Sequence, residues 1–212
     1  MANAIFFDLD GTLTDSGEGI INCAILGLEH FGLPVPTREE MRVFVGPPLD
    51  QTFIKFGVPA DKAQEAIEVF RSRYRTVGKF ENFPYPGIRE VLQTLKAQGH
   101  RLFVATSKPE ILANEVLEHF ELAGFFEQIA GATLDGSRSH KADVITYLLG
   151  LVGDVGQTVM VGDTAFDVIG AAAHGIPTIG VSWGYGEVAD MENAGATAIA
   201  HSMEELVALL NR

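Results

Sequence analysis

The chain has 212 residues, 47% of them hydrophobic and 20% charged, with a formal net charge of −13. That length suits one sizeable domain or a domain carrying an insertion, and the composition suits a packed globule. So acidic a balance excludes nucleic acid polymers and anionic membranes as expected partners, and any anionic substrate must then meet a strong local positive site. No apolar run reaches bilayer-spanning length, and no basic segment leads into an apolar stretch at the N-terminus. The single cysteine, Cys23, cannot form an internal disulfide, and a cytoplasmic location is the expectation.

The first element is a strand from Ala4 to Asp8. Its apolar run, Ile5-Phe6-Phe7, drives into Asp8, Leu9 and Asp10. Two carboxylates one residue apart at the end of a buried strand have no structural rationale of their own, because a buried charge is expensive unless something compensates it. Residues 16 to 83 then read as helical. Ile20, Ile21, Ala24, Ile25, Leu28 and Phe31 form one amphipathic face; Ala63, Ala66, Ile67, Phe70, Tyr74 and Val77 form another. Val45-Gly46-Pro47-Pro48 is a small rigid loop between them. The basic run RSRYR, with Arg71, Arg73 and Arg75, reads as a solvated helix face or as a contact for a second anionic group.

From about residue 84 onward, strands and helices alternate. Strands are expected at Arg101–Thr106, Gln128–Gly131, Thr158–Val161 and Thr178–Val181. Their continuous apolar character is that of parallel strands covered on both faces. Helical faces fall at Ile88, Val91, Leu92 and Leu95, at Ile111, Leu112 and Val116 (entered through Pro109), and at Val144, Ile145, Leu148 and Leu149. The expected fold class is α/β, a doubly wound, mostly parallel sheet with a Rossmann-like core. Residues 1–15 and 84–212 would form the core, and 16–83 an inserted all-helical cap. Gly17 and Gly19 at its entry, and the FPYPG stretch at its exit, would serve as hinges of a lid.

In open α/β sheets, ligands bind beyond the carboxyl ends of the strands. Asp8, Thr106 and Asp163 each end or follow a strand, so they converge on one crevice, with Lys141 early in a helix near the same edge. Asp8, Asp10, Asp163 and Asp167 would place four carboxylates there, and they cannot all stay ionised without a cation. Oxygen-only ligands favour a hard divalent ion, usually Mg2+. Mg2+ beside one lysine makes a positive pocket inside an acidic protein, which suits a phosphate group.

Bland readings compete. Ser107-Lys-Pro-Glu110 fits a capping box opening the next helix, and Thr164 to Asp167 fits the same template. A lone lysine such as Lys141 is usually a solvated surface residue. Trp183, beside Gly184-Tyr185-Gly186, reads as a loop anchor in preference to the alternative, a site wall, and the six histidines show no metal-ligand spacing.

The motifs together resemble those of the haloacid dehalogenase-like phosphohydrolases. DLDGT at 8–12 looks like the family's first motif, Thr106 its second, Lys141 its third and GDTAFD at 162–167 its fourth. They occur in the family's order, and the resemblance covers nearly the whole chain. It departs at Ala142, where many relatives have proline. The resemblance implies that Asp8 is a nucleophile forming an aspartyl-phosphate, and that Asp10 protonates the leaving oxygen and then activates water. It implies Mg2+ held by the Asp8 side chain, the Asp10 backbone carbonyl and Asp163, with Asp167 supporting. Thr106, the Ser107 amide and Lys141 would hold the phosphoryl oxygens. Dehalogenases and phosphonatases lack an acid at the place of Asp10, whereas phosphatases and phosphomutases keep it, because only phosphate ester cleavage must protonate an alkoxide.

VGPPL, ATSKPE and LDGSRSHK look closest to a phosphoglycolate phosphatase or 5'-nucleotidase subgroup, in which the cap chooses the substrate. Gly46 and Arg75 are its candidate substrate residues. The expected function is thus a Mg2+-dependent phosphatase of small phosphate monoesters. One alternative is a phosphomutase of the β-phosphoglucomutase type, although the histidine expected early in that cap is not evident. Another is a non-enzymatic phospho-aspartate switch like a response-regulator receiver, against which stand Asp8 on the first strand and the helical insertion.

Overall fold

The computed structural model describes residues 4–211. The chain opens with strands β1 (Ala4–Phe7) and β2 (Thr14–Asp15), followed by helices α1 (Gly17–His30), α2 (Leu49–Lys55) and α3 (Ala63–Tyr74). It continues through β3 (Phe83–Pro84), α4 (Ile88–Ala97), β4 (Arg101–Pro109), α5 (Glu110–His119) and β5 (Gln128–Ala132). The remainder is α6 (Lys141–Val152), β6 (Thr158–Gly162), α7 (Ala165–Ala172), β7 (Thr178–Val181), α8 (Val188–Asn193), β8 (Ala198–Ala200) and α9 (Met203–Leu210). The chain divides into two compact units: Met1–Thr14 with Pro84–Arg212, and Asp15–Phe83. The two crossings between them, β2 and β3, pair as a short ribbon.

The larger unit is built on a six-stranded sheet in the order β5-β4-β1-β6-β7-β8, with every neighbouring pair parallel. First in the chain, β1 is third in the sheet, registered between β4 (Phe6 opposite Phe103) and β6 (Phe6 opposite Met160). The pleat sends alternate residues of β1 to opposite faces. Ile5 and Phe7 join a core with Leu92 and Leu95 of α4, Val116 and Leu117 of α5 and Leu206 of α9. Ala4 and Phe6 join the other core, with Val144, Ile145 and Leu148 of α6 and Ala171 of α7. Burial on both faces explains why these strands read as unbroken apolar runs.

This order creates a switch point. From β1 the sheet grows outward through β4 to β5; the chain then returns across α6 to β6 on the other side of β1 and grows outward through β7 to β8. The carboxyl ends of β1 and β6 therefore flank the crevice that such a reversal opens. Asp8 follows β1 and Asp163 follows β6.

The smaller unit is helical between its terminal strand residues. α1 packs on α3, and Ile20, Ala24 and Leu28 of the first and Ala66, Ile67 and Phe70 of the second are all buried. Phe44 closes on Phe53 of α2 edge-to-face at 5.1 Å. One expectation fails: α3 ends at Tyr74, and Val77 is exposed rather than part of the apolar face. Among the described residues no helix is long and apolar enough to cross a membrane.

Candidate active site

Asp8 lies immediately beyond β1, and its amide still donates to Val161 O of β6 at 2.9 Å. The chain then folds into a tight loop in which the amides of Leu13 and Thr14 both donate to Leu9 O, at 2.9 and 3.0 Å. Gly11 enters this loop at φ +83°, a left-handed value that suits glycine. A Cβ at Gly11 would also fall inside the Asp163 carboxylate, and one at Gly184 would do the same from the far side. The backbone thus closes around Asp163 so tightly that only glycine fits.

Asp8, Asp163 and Asp167 each offer a carboxylate oxygen within 4.8 Å of one another, and all three are buried. Lys141, the first residue of α6, is also buried, contrary to the usual fate of a lone lysine. Its Nζ lies 2.9 Å from Asp8 Oδ1 and 2.8 Å from Asp167 Oδ1, and it donates to Ala105 O at 2.8 Å. Room for its stem comes from α7, where a Cβ at Gly170 would stand 2.6 Å from Lys141 Cβ and Cγ. Asp163 accepts from Thr12 Oγ1 at 3.1 Å and from the Tyr185 amide at 2.8 Å.

Three carboxylates are clustered with one ammonium, which pairs with only Asp8 and Asp167, and the titration of the groups reflects that imbalance. Burial pushes the Asp8 carboxyl up to about 6, against the pull of Lys141 and with the repulsion of Asp167. Burial, reinforced by the charges of Asp167 and Asp8, pushes Asp163 up to about 8. For Lys141, burial acts downward, but the Asp167 and Asp8 charges outweigh it and hold the ammonium above its usual range. An anionic, oxygen-only, buried donor set of this kind fits a hard divalent cation. Asp8, Asp163 and Asp167 are the three donors that could hold it.

The side chain of Asp10 is not part of that cluster. Its two oxygens accept from Lys108 Nζ at 2.9 and 2.8 Å. Thr106 is buried at the end of the regular part of β4 and hydrogen-bonds Asp8 through its side chain. Ser107 follows it, half-buried and still within β4.

Two of the bland readings change. Ser107 does not open a helix, because β4 runs on to Pro109, which itself caps α5. A proline is tolerated at the last strand position, where the pairing with β5 is already irregular. Glu110, the presumed partner in that capping box, instead accepts from the Gly131 amide at 3.1 Å and pairs with Arg138 at 3.0 Å. Asp167, by contrast, both caps α7 and belongs to the carboxylate cluster. Its Oδ2 accepts from the amide and hydroxyl of Thr164 at 3.1 and 2.8 Å, while Oδ1 faces Lys141.

Trp183 is the anchor it was expected to be. Its Nε1 donates to Thr12 O at 3.2 Å, and its ring meets Tyr85 edge-on. Gly46 and Arg75 lie in the helical unit. Gly46 has φ +103°, and Arg75 closes α3 with its guanidinium 3.8 Å from Glu68.

Sequence reasoning missed Lys108, Thr12 and the Gly184-Tyr185 turn. The signal for Lys108 was its place two residues after Thr106, which puts both side chains on one side of a strand. Ending the strand at Thr106 concealed it.

Residues 5–181 match the family described as haloacid dehalogenase-like hydrolase. A Mycobacterium tuberculosis protein named tyrosine-protein kinase PtkA is 43% identical over 199 residues, covering 93% of this chain and 68% of its own. A Pseudomonas aeruginosa protein named 5'-nucleotidase is 41% identical over 184 residues, covering 86% of this chain and 83% of its own. A crystal structure described as a predicted phosphatase from Clostridium acetobutylicum superposes with a TM-score of 0.95 at 40% identity, covering 100% of this chain and 99% of that one.

Proposed function

The chain belongs to the haloacid dehalogenase-like hydrolase family and is a phosphoric monoester hydrolase, and we propose that it is a Mg2+-dependent phosphatase of small esters working through an aspartyl-phosphate on Asp8. The observation that carries this reading is the cluster of Asp8, Asp163 and Asp167 around Lys141, with a fourth carboxyl, Asp10, held separately two residues from Asp8.

In the proposed reaction an oxygen of Asp8 attacks phosphorus in line, and the bond from phosphorus to the ester oxygen breaks. The Asp10 carboxyl gives its proton to that departing oxygen. Water then attacks the phosphorus of the aspartyl-phosphate, Asp10 takes the proton back, and the bond to Asp8 breaks to release inorganic phosphate. Thr106, Ser107 and Lys141 hold the phosphoryl oxygens. Mg2+, held by the carboxylates of Asp8 and Asp163 and the carbonyl of Asp10 with Asp167 in support, would supply charge neutralisation at the phosphoryl group. Nucleoside 5'-monophosphates and phosphoglycolate are the substrate classes proposed, with the choice between them assigned to the helical unit. A cytoplasmic site of action accompanies the proposal.

The relative named a tyrosine-protein kinase supports a second reading, in which the same aspartate cluster passes a phosphoryl group to tyrosine rather than to water. Asp10 favours water, because a carboxyl so placed serves both protonation of the leaving group and activation of the attacking water. Phosphate release from a panel of monoesters, with Mg2+ and with chelator, tests the proposal. Mg2+-dependent release is expected. No release from any ester, with label from ATP appearing on a tyrosine-containing protein, would favour the kinase reading instead.

A further inference from the structure

We infer that Lys108 is the positioning residue for Asp10, holding both oxygens of the carboxyl that exchanges protons during the reaction. This rests on the role given to Asp10 above. The ammonium of Lys108 lies 2.8 and 2.9 Å from the two Asp10 oxygens, and the side chains are only 3% and 14% exposed. A carboxyl on a short side chain has two soft torsions. A single cation bound to both oxygens fixes them together, and screening of that attraction by water is small at this burial.

The backbone around Lys108 is built to deliver it. The parallel register of β4 with β5 is regular through Thr106 opposite Gly131 and then shifts before Pro109 pairs with Ala132. Such an irregularity beside a site re-aims side chains. At its centre, the Lys108 amide donates to Thr106 Oγ1 at 3.2 Å. The hydroxyl that touches Asp8 is therefore oriented by the same residue whose side chain holds Asp10. Across the strand, Gly131 leaves the space the irregular segment occupies, since a Cβ there would stand 2.6 Å from Lys108 O.

The site thus contains two buried lysines with separate duties. Lys141 faces Asp8 and Asp167. Lys108 faces Asp10, the carboxyl that must swing neither into the cluster nor away from the ester oxygen. A misplacement of such a group by about 1 Å costs on the order of 10²-fold in rate.

The test is kinetic and uses the full chain with Mg2+. Lys108→Met is expected to lower kcat on an alkyl phosphate by about 10²-fold with KM within about threefold. The pre-steady-state burst from 2,4-dinitrophenyl phosphate, whose leaving group needs no proton, is expected to keep its rate within a few-fold. Lys108→Arg should recover about 10-fold of the loss, because it restores a cation that can bind both oxygens. The decisive comparison is made in an Asp10→Asn background on steady-state turnover of the dinitrophenyl ester. There Lys108→Met should change kcat by less than about twofold, since a residue acting through Asp10 has nothing left to act on.

An equal loss in both backgrounds would overturn the inference and make Lys108 a direct contact of the substrate. Wild-type kinetics in Lys108→Met, with Asp8→Asn and Asp10→Asn inactive on the alkyl ester, would overturn this inference alone. No turnover by the wild type would overturn the hydrolase mechanism and this inference with it. If Lys108→Met does not fold by circular dichroism, Lys108→Gln, which keeps a donor for one oxygen, carries the same cycle.

Discussion

Each unit of the molecule holds a cluster of partly or wholly buried ionic groups, and the carboxyls of the two are shifted in opposite directions. In the helical unit, Arg73 grips Glu81 through two hydrogen bonds of 2.6 Å, Asn22 donates to the same carboxylate at 3.1 Å, and Arg38 donates to Asn22 at 2.6 Å. Arg73 holds the Glu81 carboxyl below its usual range, and Glu81 in turn raises Arg73. The buried carboxylate there is answered by a guanidinium bound to both of its oxygens. In the α/β unit the carboxyls of Asp8 and Asp163 are pushed up, because burial and the charge of Asp167 exceed what Lys141 returns to Asp8 and what the Tyr185 amide and Thr12 return to Asp163. A cluster that stabilises a fold balances its charges internally. One that serves a cation and a phosphate leaves the balance open and depends on the fold to hold it so.

Substitution of the nucleophile tests that contrast most severely. Asp8→Asn should lower phosphate release by roughly 10⁴-fold or more, the scale of a lost nucleophile, with the far-ultraviolet circular dichroism spectrum unchanged. Substantial residual turnover would remove Asp8 from its role.

The next effect is on stability and depends on pH. Asp163 is raised from 3.8 to about 8 on folding, so the native state binds the extra proton over that interval. The stability this group contributes is full below about pH 4 and is lost as pH rises through about 8. In chelator, wild type should therefore lose on the order of 2–4 kcal/mol relative to Asp163→Asn between about pH 5 and pH 9, and Mg2+ should remove most of that slope. Parallel stability curves for the two proteins, measured by urea unfolding, would contradict the charge-excess picture.

The helical cluster should behave in the opposite sense. Glu81→Gln is expected to cost about 1–3 kcal/mol at neutral pH, and to leave kcat per folded molecule unchanged. Glu81 is lowered on folding, so its contribution is present above its unfolded value of 4.5 and is lost as pH falls through the folded one. The gap between wild type and variant should accordingly close in acid, where the Asp163 gap also closes, but through loss of stability rather than recovery of it.

The smallest effect concerns support of the carboxylate cluster. Thr12→Val removes the 3.1 Å bond to Asp163. It should cost about 1 kcal/mol in thermal unfolding and weaken the Mg2+-dependent rise in melting temperature by about 10-fold in concentration.

Much of this was legible in the sequence. The unbroken apolar runs of β1, β4 and β6 announced a sheet buried on both faces, and the placing of Asp8, Thr106 and Asp163 at their ends followed from that alone. Their convergence with Lys141 and Asp167 followed from the topology that such strands adopt. Asp167 as cap or as site residue looked like a choice, but a carboxylate has two oxygens, and here each serves one purpose. The boundary of β4 was misjudged because Pro109 reads as a helix start, whereas an irregular strand edge also accepts it.

What the sequence determined by itself is the four carboxyls, Thr106 and Lys141 near the crevice, because strand ends are fixed by local patterning and chain order. What only the tertiary structure decided is which charge answers which. Lys108 and Lys141 are equivalent as letters, 33 positions apart. Their separate partners, Asp10 for one and Asp8 with Asp167 for the other, depend on the register shift in β4, the space beside Gly170 and the loop closed by Gly11 and Gly184. Electrostatic pairing is set by ångström-scale distances and burial, and those are properties of the packed chain rather than of any segment of it.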